Sequence, residues 1–146
     1  MKYSACIEML FQDVELIERI YKAKEAGFQA VEFWLWQPKD LNAIKKALNE
    51  TGLEVAVFQG NIQGRMIDSK DNEIYINGVK KSVEAAKKVG AKHLFLMTDI
   101  LQEDRTVLEP PYPISEEEKI ASIKKVLNTL MFVEPISLTR SNAGLE

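Results

Sequence analysis

Hydrophobic and polar positions along this chain change period repeatedly, from the spacing of a helix to that of a strand. Leu16, Ile17, Ile20, Tyr21 and Ala23 mark one face of a helix, and Gly27 follows as its stop. The stretch Ala30–Trp36 then carries apolar residues on both parities, as a strand covered on two faces does. The same grammar returns twice. Leu41, Ile44 and Leu48 lead to Gly52 and a strand over Leu53–Gln59, while Ile76, Val79, Val83, Ala86 and Val89 lead to Gly90 and a strand over Lys92–Thr98. Lys2–Met9 is the opening strand, with Tyr3, Ala5, Ile7 and Met9 on one parity. Gln12-Asp13, Asp40 and Ser115 stand where helix N-caps belong, and Ser115 with Glu118 three residues on spells a capping box. A last strand is expected over Met131–Pro135, so that five strands alternate with four helices. Strict alternation predicts an α/β fold built on a parallel sheet.

Two connections break the economy of short loops, Gly60–Asn72 and Asp99–Ile114. Long loops in compact domains carry function more often than short ones. A further irregularity is the fourth helix, whose Ile123, Val126, Leu127 and Leu130 run into Met131-Phe132-Val133 with no glycine between. In a parallel βα array the working surface lies beyond the carboxyl ends of the strands. Attention therefore falls on Trp34–Gln37, Phe58–Asn61, Met97–Asp99 and Glu134.

Composition narrows the class. With 146 residues the chain is long enough for one well-filled domain, and a formal charge of −3 gives no reason to expect nucleic acid or an anionic membrane as partner. The single cysteine, Cys6, excludes an internal disulfide, and no apolar run reaches membrane-spanning length, so a cytoplasmic protein is expected. No phosphate loop or dinucleotide fingerprint is present.

The candidate residues carry two readings each. Glu134, at the carboxyl end of the last expected strand and beside Pro135, stands where an acid–base residue or metal ligand belongs. Glu8 and Glu32 are carboxylates in or near apolar strands, either paired internally or facing a pocket. Trp34 and Phe58 either cap the core or wall a small ligand. Arg65 is either solvated or a fork for a carboxylate or phosphate. His93 opens its strand, far from the carboxyl ends, and reads as structural.

With these residues placed, the chain resembles the xylose isomerase-like TIM barrels, and within them the hydroxypyruvate isomerase branch. The likeness rests on CIEMLF, EAGFQAVEFW, the long run FQGNIQGRMIDSKDNEIYINGVKKSVEAAKKVGAKHLFLM, and VEPIS. It spans nearly all of 1–137, expected to be a partial (β/α) barrel of about five units, with 138–146 as a tail. The resemblance implies a divalent cation, manganese or magnesium, held by two Glu, one Asp and one His. It also implies proton transfer between adjacent carbons of a hydroxy-carbonyl substrate through an enediolate. Glu134 matches the first glutamate, as both metal ligand and acid–base residue; Glu8, Trp34, Phe58 and Arg65 are the expected substrate-binding residues. Barrels of this kind run to about 250 residues, and the other three ligands have no counterpart here. The expectation is thus a shortened chain, weak or inactive alone, whose open edge strands at 3–8 and 131–135 favour a homo-oligomer. The rival reading is a flavodoxin-like binding or regulatory domain, for which five alternating strands suffice.

Overall fold

A computed structural model describes residues 1–102 and 106–133. Four parallel strands, β1 (Ser4–Cys6), β2 (Ala30–Phe33), β3 (Glu54–Gln59) and β4 (Leu94–Phe95), form one sheet in sequence order. Helices α1 (Leu16–Glu25), α2 (Leu41–Thr51), α3 (Asn72–Val89) and α4 (Glu116–Leu130) alternate with them. Successive strands step in one direction, and such crossovers share one hand, so the helices gather on one face. The result is a partial barrel wall.

The main core lies between that face and the helices. Ala5, Val31, Phe33, Val55, Phe58 and Leu94 project into it and meet Ile20, Ala23, Ile44, Ala47, Val83 and Ala86, all buried. Phe33 stacks on Phe58 at 5.0 Å with the rings 9° apart, a contact that adds about 0.5–1.5 kcal/mol beyond its burial. A second cluster, Met66, Tyr75, Ile76, Val79, Val126 and Leu130, joins α3 to α4.

Several sequence expectations hold. Asp40 caps α2 by accepting from the backbone N–H groups of Asn42 and Ala43, and Ser115 with Glu118 forms the capping box of α4. Gly52 and Gly90 end α2 and α3 in the left-handed conformation. Others require correction. Helix α1 is preceded by Glu15, with no side-chain cap, rather than by Gln12-Asp13. Tyr3 and Met9 are exposed although they share parity with the buried Ala5 and Ile7, because β1 is only three residues long. The expected fifth strand does not begin at Met131: Met131–Val133 form a turn that continues α4, with the N–H groups of Met131, Phe132 and Val133 donating back to Leu127, Thr129 and Leu130. With no glycine to stop the helix, its last carbonyls recruit the next donors in line. Glu134, Pro135 and the 138–146 tail lie outside the described residues.

Candidate functional site

Beyond β1 and β2 the carboxyl ends are closed by ion pairing. Glu8 meets Lys39 at 2.6 Å, both side chains mostly buried, and the Lys39 ammonium also donates to the Leu35 carbonyl. Glu8 is thus the internally paired carboxylate of its two readings. Arg19 anchors the same corner from below, donating to the carbonyls of Ile7 (3.0 Å) and Val14 (2.9 Å). Trp34 stands 46% exposed at the end of β2, available to a ligand, whereas Trp36 turns inward and donates its indole N–H to Ser82 Oγ at 2.8 Å. Phe58 lies wholly inside the core, so its ring supports the sheet rather than lining a cleft. Glu32 sits on the opposite face of the sheet from that core, beside Cys6 and Val57 in the ladder.

Beyond β3 and β4 the ends are tied by backbone and amide bonds. The Gly60 N–H donates to Phe95 O at 2.8 Å, and a Cβ at residue 60 would come within 2.9 Å of Leu96 and 3.0 Å of Leu94. Only glycine permits that approach. Asn61 accepts from the Met97 N–H at 2.8 Å, and the Tyr75 hydroxyl donates to Met97 O at 2.8 Å. Burial pushes the Tyr75 phenol well above its usual range.

The long loop after β3 then folds against the long loop after β4. Arg65 is the clamp. Its backbone and guanidinium donate to Asp71 Oδ2 at 3.0 and 3.3 Å, and two further guanidinium N–H groups donate to Leu108 O at 3.3 and 3.2 Å. Asp68, buried, accepts from Lys70 N–H at 2.9 Å and from the Tyr112 hydroxyl, while the Lys70 ammonium rides 3.6 Å above the Tyr112 ring. Burial acts to raise the Asp68 pKa, but these hydrogen bonds and the charges of Lys70 and Arg65 outweigh it and hold the carboxyl below its usual range. The bond to Asp68 pushes Tyr112 up to about 12. Arg65 therefore has an interior occupation that neither reading of the sequence included, and its fork is taken up by the protein itself.

The two loops enclose a cleft of about 590 Å³ beyond the carboxyl end of β4, walled by Ile67, Val107 and the Pro110–Pro113 turn, with Asp99, Glu109 and Lys119 as its charged groups. Its size falls within the range of small-molecule sites, ~300–1,000 Å³. Asp99 Oδ1 is buried with no hydrogen-bond partner among the described residues. Desolvation raises the Asp99 pKa, Glu109 adds to the rise, and Arg65 and Lys119 oppose it. Lys119 holds Glu116 at 2.7 Å, which raises its own pKa and keeps it cationic. A carboxyl and an ammonium lining one half-apolar cleft are equipped to bind a small polyhydroxylated or carbonyl compound.

The structure thus separates the sequence-predicted residues. Glu8 and Trp34 belong to the β1–β2 side, Arg65 braces the β4 side, Phe58 is in the core, and Glu134 lies outside the described residues. In sequence Asp99 is only an aspartate at a strand end, and no local spacing marks Lys119, Tyr112 or Asp68. The nearest sequence signal was the EPPYP run, whose rigid backbone aims Tyr112 at the facing loop. Among the described residues, which do not include Glu134, no group of three or more His, Cys, Asp or Glu side chains can hold a metal. Among the same residues no helix is long and apolar enough to cross a membrane.

The sequence profile of the xylose isomerase-like TIM barrels matches residues 20–134. The chain belongs to that family, and the flavodoxin-like alternative is set aside. Within it, the chain is similar to a 2-oxo-tetronate isomerase of Haemophilus influenzae, 29% identical over 112 residues that make up 70% of this chain and 42% of that protein. Among solved structures it superposes on an AP endonuclease of family 2 from Brucella melitensis (TM-score 0.77, 19% identity, 95% of this chain and 54% of that one). It also superposes on the 3-keto-D-glucoside 4-epimerase YcjR of E. coli (TM-score 0.69, 19% identity, 91% and 52%). The chain spans about half the length of these barrels, and less than half that of the isomerase.

Proposed function

We propose that this chain supplies half of an isomerase- or epimerase-type barrel that moves a proton between adjacent carbons of a small hydroxy-carbonyl compound, of the sugar or hydroxypyruvate kind. The observation that carries this reading is the cleft beyond β4, whose lining includes Asp99 and Lys119, with Asp99 Oδ1 unpartnered among the described residues. In this reading Asp99 accepts a substrate hydroxyl, Lys119 donates to a carbonyl or carboxylate oxygen, and Trp34 shields the far side from water. Glu134 is the proposed base that takes the proton from the carbon between hydroxyl and carbonyl, leaving an enediolate. A family member with its second carboxylate would return that proton; no described residue stands in for it, so the single chain is weak or inactive.

Hard cations take about six oxygen ligands, and Glu134 offers one carboxylate. Manganese or magnesium is accordingly expected to bind a single subunit at millimolar affinity or weaker, and a stoichiometric micromolar site seen by calorimetry would contradict this. The functional reading itself is tested by NMR with hydroxypyruvate in heavy water. Shifts at Asp99 and Lys119 without carbon-bound proton exchange are the expected result. Unchanged spectra at saturating ligand would remove the cleft from the proposal, and exchange abolished by Glu134→Gln would remove the inactivity.

A further inference from the structure

Parallel sheets are normally covered on both faces, and among the described residues this one is covered on one. Along each strand the side chains facing the helices are buried, Ala5, Val31, Phe33, Val55 and Phe58 among them, while the alternating set stays half-open. Cys6, Glu32 and Val57 lie side by side in the ladder on that second face, and none of the three is buried. The strands β1 and β4 are also unpaired on their outer edges among the described residues.

The exposed large apolar side chains bear on the missing neighbour. Some stand at the strand ends and in the loop after β4, such as Trp34, Leu35 and Val107, and two further groups stand at the lateral flanks. Tyr3, Met9 and Leu10 stand out beside β1, and Ile120, Leu127 and Met131 make a stripe at helical spacing on the outer side of α4. Helices α1 and α2 show none, and α3 only Ile74, so the β1 flank is apolar at its strand ends and the α4 flank along its helix. A helix in a barrel packs against its neighbours on both sides; α4 has α3 on one side and an apolar stripe with no described neighbour on the other. The solved barrels that this chain overlays extend beyond it by about its own length, since it covers 54% and 52% of them. Closure of such a barrel takes eight strands, and the sheet has four among the described residues.

We infer that the chain closes its barrel with a second copy of itself. A two-fold axis along the barrel axis brings β1 of each copy beside β4 of the other, keeps all eight strands parallel, and buries both apolar flanks and both open faces at once. Stacking the two open faces across a perpendicular axis would cover Cys6 and Glu32 but leave the α4 stripe and the strand edges in water. The inference rests on the fold and the flanks and not on the catalytic reading, so its failure leaves that reading untouched.

Light scattering on the purified full chain at micromolar concentration is expected to give twice the 16.6 kDa of one copy. Leu127→Lys places a charge on the α4 stripe at a position already 45% exposed, so each copy still folds, as circular dichroism will verify, while the mass falls to that of a monomer. Ile74→Lys, off the flanks, leaves the dimer intact. The lone thiol gives a second readout: Cys6 in wild type reacts with an aromatic disulfide reagent on the order of tenfold more slowly than in Leu127→Lys, because closure buries it. A monomeric wild type, a dimer that survives Leu127→Lys, or equal Cys6 reactivity in the two proteins would each overturn the closure.

Discussion

The wall from β1 to β3 and the corner around β4 and α4 are held together by different means. In the first, apolar side chains from three strands and three helices interlock around the Phe33–Phe58 stack, and the polar contacts are corner fastenings such as Glu8–Lys39. In the second, β4 has two residues, and the structure depends on two long loops pinned by Arg65, Asp68, Tyr112 and Ser122. Ser122 Oγ reaches Met66 O at 2.7 Å and the Asn72 side chain at 2.8 Å, tying α4 to both the loop and α3. Periodic burial builds a wall that tolerates polar change at its rim. A polar clamp builds a cleft, because its backbone is held open at a distance where a packed core would close it. The candidate site sits on the second kind of structure.

The largest effect is expected where the wall is attacked directly. Phe58→Ala removes one ring of the stack from a fully buried position and should cost about 3–5 kcal/mol in urea unfolding. A loss under about 1.5 kcal/mol would mean that the wall repacks and that its rigidity has been overstated. Next comes the clamp. Arg65→Met leaves Leu108 O and Asp71 without their donors, for an expected loss of about 2–3 kcal/mol. The distinguishing readout is hydrogen exchange: amides of 62–71 and 106–112 should lose protection while those of β1–β3 keep it. Uniform loss would erase the contrast between the two regions.

Cap deletions should come out equal across the two regions. Asp40→Ala and Ser115→Ala each remove a side-chain cap and should each cost about 1 kcal/mol, since a helix end is the same problem in either region.

The smallest effects belong to pH, and only the corner should show them. Tyr112 has its phenol raised to about 12, so the folded chain keeps that proton when the unfolded chain has lost it. The associated stability is complete below pH 10 and disappears as pH rises towards 12. Asp68 has its carboxyl lowered, so its contribution is complete above its unfolded value near 4 and is lost as pH falls below it. Tyr112→Phe should flatten the alkaline part of the stability curve and weaken the acid part. An unchanged curve would show that the Tyr112–Asp68 bond does not couple to folding.

The sequence by itself determined the four helices, the first four strands and their order. Gly52, Gly90, Asp40 and the Ser115–Glu118 box act within a few residues of themselves, so their effect on the backbone is visible without knowing the neighbours. Burial of Ile20, Ile44, Val79 and Val83 follows in the same way from helical spacing. The resemblance in the long middle run likewise gave the barrel family before any coordinate was considered. Tertiary structure alone decided which polar residues meet. Arg65 and Leu108 are 43 residues apart, Asp68 and Tyr112 are 44 apart, and Met66 and Ser122 are 56 apart. No local period encodes such pairs, because they arise where two aperiodic loops cross, and a side chain's charge does not say which partner it will find. Glu8 and Arg65 were singled out for a ligand because they are charged groups near strand ends. The fold gave them Lys39, Asp71 and Leu108 instead, since a partly buried charge takes the first strong partner that packing brings within reach. Asp99 is the converse: an unremarkable aspartate in sequence, it joins the wall of the cleft with its Oδ1 buried and brought no donor among the described residues.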